Sequence, residues 1–350
     1  MTARLSRPLR VLVVDSEPRY SVGSSIYRGF RTLGHDASFF DQTPYIGGWS
    51  SGAGRLQKVA RAVTRPAARG ALNLALLSTV FARRPDLVVV MKGHFVLPET
   101  IEAMRKAARA VVSVHTDDLE NPGNTNHWML QAIPLWDVMF STRSFVGAEL
   151  KARGARRYEL LPFAYDPVLS HPPTPGEQAE PGIEKAVTFV GSNAPERPPF
   201  FEPCVDRFPL MIWGGGWGSL PKSSPLQKVI RKRQVVDGEL RAILSRSAIS
   251  VALLRKANRD LHTMRTFEIP ACGGFMLAER TDEHQAFFEE GREAEFFSSS
   301  DEFAAKAERY LKDAPARRAI AAAGYRRVTS SGYAYSDRAA RIVEVVSELG

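Results

Sequence analysis

The sequence predicts an α/β protein of two domains, each a parallel sheet flanked by helices. Three observations lead there. A chain of 350 residues is too long for one ordinary core and suits two domains of typical size. Short, near-continuous apolar runs rich in β-branched residues alternate with helical patterns, the mark of strands buried on both faces of a parallel sheet. A Pro-rich stretch of low hydrophobicity, Ser170 to Gly182, interrupts the alternation, which then resumes.

In the first half the expected strands are Val11–Val14, Asp36–Phe40, Leu87–Met91, Val111–Val114, Val138–Ser141 and Glu159–Leu161, with helices near Ser24–Leu33 and Glu99–Ala108. The stretch from Ser170 cannot be regular structure, because proline lacks a backbone donor and disfavours helix in the residue before it. It is read as a linker over residues 169–184, between a first domain at 1–168 and a second at 185–330. In the second half the runs are Ala186–Val190, Leu210–Trp213, Ile249–Leu254 and Phe275–Ala278, with a helix at Gly238–Leu244. Asp301 to Leu349 is helical in pattern and broken near Ser330–Tyr335.

Hydrophobic residues at 44% and charged residues at 24% are those of a globular protein, and no run approaches the roughly 20 apolar residues that cross a bilayer. The N-terminus runs directly into the first strand without a small-residue cleavage site, so no signal peptide is read there. Cys204 and Cys272 stand far apart without CxxC spacing, against a disulfide framework or a zinc site and in keeping with a reducing cytoplasm. The net charge of +9 is uneven: residues 42–84 hold seven Arg or Lys and no acid. Within them Leu56, Val59, Ala60 and Val63 recur at helical spacing opposite Lys58, Arg61 and Arg65. That pattern is first that of a solvated basic face above a core stripe, and it also fits peripheral contact with an acidic membrane or a lipid-linked partner. Nucleic acid is not expected, since no recognition-helix, zinc-finger or ribonucleoprotein pattern accompanies the charge.

Residues 264–278 put Glu268 in a short helix-like stretch that ends in Gly273-Gly274 and enters a strand. Asp260 lies seven intervening residues upstream, so the two carboxylates can reach different ends of one ligand. A carboxylate only accepts hydrogen bonds, through two oxygens, which suits the vicinal hydroxyls of a ribose or a sugar ring. The backbone N–H groups of Leu261 to Met264, His262 and Thr263 included, are expected at a helix start, where a diphosphate is favoured.

Phe189-Val190-Gly191-Ser192 followed by Arg197, Trp213-Gly214-Gly215-Gly216-Trp217, Arg265 through Gly274, and Ala321 through Val328 together resemble the CgeB-like bacterial glycosyltransferases of group 1. The resemblance spans roughly residues 186–345; over 1–165 it rests on the strand pattern, Thr116-Asp117-Asp118, and Leu161-Pro162 with Asp166-Pro167. It implies the GT-B fold, two Rossmann-like domains facing a cleft. It implies further a second domain that binds a nucleoside-diphosphate sugar, a first domain that holds the acceptor, and a final helix over 331–350 packing back on the first domain. The implied activity is a hexosyltransferase-like, metal-independent transfer to a glycan, lipid-linked or small-molecule hydroxyl, of the kind that builds polysaccharides. A sugar-nucleotide epimerase of the same fold, or a module that binds a nucleotide sugar without turning it over, is the alternative.

The resemblance makes Glu268 the second acid of an acid-x7-acid motif, gripping the ribose. Asp260 stands where a first Glu would lie near the transferred sugar, although it is shorter by one methylene. Gly191 and Ser192 form a loop that lets backbone approach phosphate, and Arg197 brings a planar fork suited to a diphosphate. Lys256 and Arg265 are further cations able to neutralise the leaving diphosphate in place of a metal. Trp213 is read as core, Trp217 as the more open ring on which a base could stack. Met264 completes the expected donor loop. In the first half, Gly23 and Ser24 open a helix, and His94, His115 and Asp117 follow strands; these are the acceptor wall. His115 or Asp117 would be the base for an inverting transfer. The aspartate-x-aspartate spacing of metal-dependent transferases is absent, so neither a metal nor a cofactor is expected.

Overall fold

The computed structural model describes residues 7–16, 19–46, 55–231 and 233–349, with backbone alone over 55–65. The chain divides into two compact units, Met1–Pro162 with Tyr335–Gly350, and Phe163–Ala334. The Pro-rich stretch therefore lies inside the second unit, after the boundary. It is held there by Glu177, whose carboxylate is bound by Arg241 and accepts the Thr174 N–H at 3.1 Å.

The first unit is a six-stranded, wholly parallel sheet. Its strands are β1 (Arg10–Asp15), β2 (Asp36–Asp41), β3 (Leu87–Met91), β4 (Ala110–His115), β5 (Val138–Ser141) and β6 (Tyr158–Leu160), in the order β2-β1-β3-β4-β5-β6. Its helices are α1 (Val22–Thr32), α2 (Thr43–Ile46), α3 (Arg55–Arg83), α4 (Pro98–Arg105), α5 (His127–Ala132) and α6 (Gly147–Ala152). The last helix of the chain, Tyr335–Ser347, also belongs here. β3, β4 and β5 are buried along their whole length, which is why they read as unbroken apolar runs.

The second unit is a five-stranded parallel sheet. Its strands are β7 (Val187–Val190), β8 (Leu210–Trp213), β9 (Ile249–Ala252), β10 (Met276–Glu279) and β11 (Glu295–Phe297), in the order β11-β10-β9-β7-β8. Its helices are α7 (Arg197–Phe201), α8 (Asp237–Arg246), α9 (Arg265–Ala271), α10 (Asp282–Phe287), α11 (Ser300–Lys312) and α12 (Ala314–Ser330); the closing helix of the chain is then α13. One face buries Phe201, Phe303 and Tyr310, the other Phe267, Phe288 and Phe296. The strand expected to reach Leu254 ends at Ala252, and β11 was not expected, because three residues carry no readable period.

Both sheets place their first strand beside their third, so each has a point where the strand order reverses: β1 beside β3, and β7 beside β9. In open parallel sheets ligands bind outside the carboxyl ends of the strands at such points.

α13 buries Tyr335, Ala339, Ile342, Val345 and Val346 and packs on α1. The approach is close because α1 has a glycine there: a Cβ on Gly29 would lie 2.5 Å from the Tyr335 carbonyl oxygen. Gly29→Ala should therefore cost the first unit about 1–3 kcal/mol by overpacking. Gly70→Ala, on α3 with nothing within 4 Å of the new carbon, should be stabilising by about 0.5–1 kcal/mol. Guanidinium unfolding of the two variants checks both signs; equal effects would show that α13 does not press on α1.

Candidate functional site

At the carboxyl end of β7 the chain turns through Gly191, Ser192 and Asn193 into α7. Two guanidinium groups bracket this turn. Arg265, at the start of α9, donates from Nε to the Val190 carbonyl at 3.2 Å and pairs through Nη1 with Oε2 of Glu268 one turn along the helix. Arg197, at the start of α7, donates to the Ser192 carbonyl and lies 5.0 Å above the Phe189 ring. Burial lowers the affinity of both guanidiniums for their proton, Arg265 to about 10, and both stay charged at neutral pH. Among the described residues, no donor bonds Oε1 of Glu268, and the buried Arg197 Nε and Asn193 Oδ1 have no partner.

A cavity of about 460 Å³ opens at the same strand ends. Glu196, Arg197, Lys256, Glu279 and Arg280 supply its charge, Ser298–Ser300 its hydroxyls, and Phe200, Leu253, Leu254 and Phe297 its apolar walls. It sits at the β7–β9 reversal point and reaches the ends of β10 and β11. The Lys256 N–H donates to Glu196 Oε1 at 3.1 Å, tying the β9 loop to the β7 loop. Burial holds the Glu279 carboxyl above the usual carboxylate range, with the Leu254 N–H and the charges of Lys256 and Arg197 pulling it back.

Glu196, Glu279 and the Ser298–Ser300 turn were not among the expected site residues. Glu279 follows directly on the run Phe275–Ala278, and the strand-end rule that singled out His94 would have found it.

Four of the expected donor residues come together: Arg197 and Lys256 line the cavity, Arg265 and Glu268 lie at the end of β7. Gly191 and Ser192 form the turn between them, with Ser192 exposed. Met264 is half-buried at the N-cap of α9. Asp260 closes the β9 loop, its Oδ2 accepting the Arg255 N–H at 3.3 Å across a turn in which Arg259 has φ of +47°.

Three expectations are corrected. Trp217 is buried in the α7 side of the core, edge-on to Phe189, and its Nε1–H donates to the Gly191 carbonyl at 2.9 Å. It shapes the turn and has no open face for a base. His262 is also buried: Nε2 accepts the Phe163 N–H at 2.9 Å, which leaves Nδ1–H to donate to Glu283, and the rings of Phe163, Phe267 and Phe287 enclose it. Thr263, expected to offer its backbone N–H to phosphate, donates it to Thr266 Oγ1 at 3.0 Å.

In the first unit, Gly23 and Ser24 are both buried, and both N–H groups are already satisfied, by Asp15 Oδ2 at 3.0 Å and Ser21 Oγ at 3.0 Å. A Cβ on Gly23 would lie 2.5 Å from Asp15 Oδ2, so the glycine serves the fit of β1 against α1. This corrects their reading as a ligand-facing loop.

His94, His115 and Asp117 stand at the carboxyl ends of β3 and β4 with Lys92, which pairs with Asp117 and has φ of +60°. His115 is buried and its Nε2 has no partner among the described residues. Burial takes its pKa down to about 4, so the ring is neutral at pH 7. His94 is also lowered, by burial first and then by Lys92 and Arg69.

Among the described residues, no cluster of three His, Cys, Asp or Glu side chains is arranged to hold a metal ion.

Two parallel-sheet α/β units with these strand orders are the GT-B fold, and solved structures bear this out. Sucrose-phosphate synthase from Thermosynechococcus elongatus superposes with a TM-score of 0.66 at 13% identity, covering 97% of this chain and 99% of that one. Anabaena HepE in complex with UDP-glucose gives 0.62 at 11% identity, covering 97% and 100%. The α,α-trehalose 6-phosphate synthase of Burkholderia multivorans gives 0.61 at 11%, covering 98% of each chain. Residues 197–344 match the family model described as glycosyl transferase-like. No curated protein matches the chain by sequence.

His284 is a second buried imidazole whose pKa burial lowers to about 4; it links the Thr266 hydroxyl of α9 to the Glu279 carbonyl at the end of β10. Both His115 and His284 refuse a proton in the folded state that the unfolded chain takes up near pH 6.5. Stability should therefore fall as pH drops from about 6.5 towards 4 and be flat above 7, by roughly 3 kcal/mol per histidine over the full span. His284→Gln should remove part of that slope in a pH series of urea unfolding; an unchanged slope would show that His284 is not held neutral.

Proposed function

We propose that the chain is a glycosyltransferase. It takes a nucleoside-diphosphate sugar at the β7–β9 end of the second unit and transfers the sugar to a hydroxyl held by the first. The observation that carries this reading is the Arg265–Glu268 pair at the end of β7, on the same turn as Arg197, which with Lys256 lines the cavity. The glycosyl transferase-like family match, which begins at Arg197 and contains both members of the pair, supports it.

Glu268, 8% exposed, accepts the ribose hydroxyls through Oε1, which no donor bonds among the described residues, while Arg265 holds Oε2. The diphosphate lies across the Gly191–Ser192 turn. As the acceptor oxygen bonds to the anomeric carbon, the bond from that carbon to the diphosphate breaks. Arg197, Lys256 and Arg265 then stabilise the departing charge as fixed cations in place of a metal ion. Asp260, which shapes the β9 loop, is the carboxylate assigned to the transferred sugar. In an inverting reaction the hydroxyl proton passes to His115 or Asp117; a retaining one needs neither. His115 as base would put the acidic limb of the pH–rate profile near 4, in line with its lowered pKa. A lipid-linked or anionic glycan acceptor suits the basic segment at residues 42–84.

The test is a thermal-shift panel of UDP, GDP, dTDP and their sugars, since a ligand that binds only the folded state raises apparent stability. One base should stabilise the parent chain. Glu268→Gln should weaken that nucleotide by about 10–100-fold, the worth of one or two charge-assisted hydrogen bonds, each shift being read against the variant's own unliganded melting point, which falls because Arg265 loses its paired charge. No response to any nucleotide, or equal binding by Glu268→Gln, would refute the assignment. Nucleotide release that rises only when an acceptor is added separates transfer from epimerisation by the same fold.

A further inference from the structure

α3 buries Leu72, Leu76 and Val80 against the first unit's sheet, as an ordinary amphipathic helix does. Its opposite face is also apolar. Leu74 and Phe81, two helical turns apart, are 72% and 55% exposed. No other element among the described residues exposes two large apolar side chains. The positions around them, Ala67, Gly70, Ala71 and Ser78, are exposed and small, so nothing on the helix shields the pair. In the sequence, Val63 stands eleven residues before Leu74 and Leu56 seven before that, steps that keep to the same side of a helix. Their side chains, with those of Arg61 and Arg65, lie outside the described residues.

Charge identifies what covers this stripe. Residues 42–84 carry seven cations and no acid, and Arg83 and Arg84 are exposed at the C-terminal end of α3. A second copy of the chain would bring two such helices together, and like charges facing each other oppose that pairing. An anionic lipid surface answers both halves of the pattern: apolar side chains enter the acyl boundary while Arg and Lys meet the headgroups. No helix among the described residues is long and apolar enough to cross a membrane, so α3 would lie in the interface plane.

We infer that the outer face of α3, centred on Leu74 and Phe81, docks the protein on an anionic membrane. This stands apart from the sugar-transfer reading and is tested without turnover.

The full chain should co-sediment with phosphatidylcholine vesicles containing about 30 mol% phosphatidylglycerol, should ignore pure phosphatidylcholine, and should be released by salt. The double variant Leu74→Ser/Phe81→Ser should partition about tenfold more weakly with an unchanged melting point, because both side chains are exposed. Arg61→Glu/Arg65→Glu should lose binding as well. The inference fails if the parent does not bind anionic vesicles, or if either double variant binds as the parent does. It fails too if sedimentation velocity shows a dimer that the Leu74→Ser/Phe81→Ser variant disperses, for the stripe would then belong to a second copy.

Discussion

Everything functional in this protein follows from burying parallel strands on both faces. β3, β4, β5, β7 and β9 are buried along their length, so most of their side chains are apolar. The chain's chemistry is pushed to the turns at the carboxyl ends. There the order reversals beside β1 and β7 splay neighbouring loops apart and leave room for a ligand. Arg197, Lys256 and Glu279 lie on three such turns of one sheet, and Lys92, His115 and Asp117 on two of the other.

The second-unit turns are held by side chains and not by glycines alone. Trp217 bonds the Gly191 carbonyl, Arg197 the Ser192 carbonyl, Arg265 the Val190 carbonyl, and Glu196 the Lys256 N–H. Three of these four contacts fix backbone oxygens of a single turn. That stiffens the place where a diphosphate would have to be met by preset donors, and less ordering remains to be done on binding. Behind them His284 joins α9 to the end of β10, so Glu268 and Glu279 rest on a common support.

Much of the fold was legible because buried parallel strands leave an unbroken apolar signature: ten of the eleven described strands coincide with runs such as Leu87–Met91 and Leu210–Trp213. β11 escaped because Glu295–Phe297 is too short, and its Glu295 points a carboxylate at Lys306 and Tyr310 where a run of apolar residues would be expected. The site was half legible. Arg197 and Lys256 were singled out as cations in loops after strands, Arg265 and Glu268 by the segment 264–278 and the family resemblance, and these four fall at the candidate site. Sequence could not tell that Trp217 and His262 have their polar atoms engaged by Gly191, Phe163 and Glu283, since those partners lie 21 to 99 residues away. Gly23, read as part of the acceptor wall, instead makes room for the Asp15 side chain.

The first unit is assembled from both ends of the chain, with α13 seated on α1 through the gap at Gly29. On the ribosome, every residue of the second unit must be made before that seat can be filled. The apolar flank of α1 thus stays open through the longest part of synthesis, at roughly 5–20 residues per second a matter of many seconds. Any truncation that spares the second unit but removes α13 leaves that flank bare.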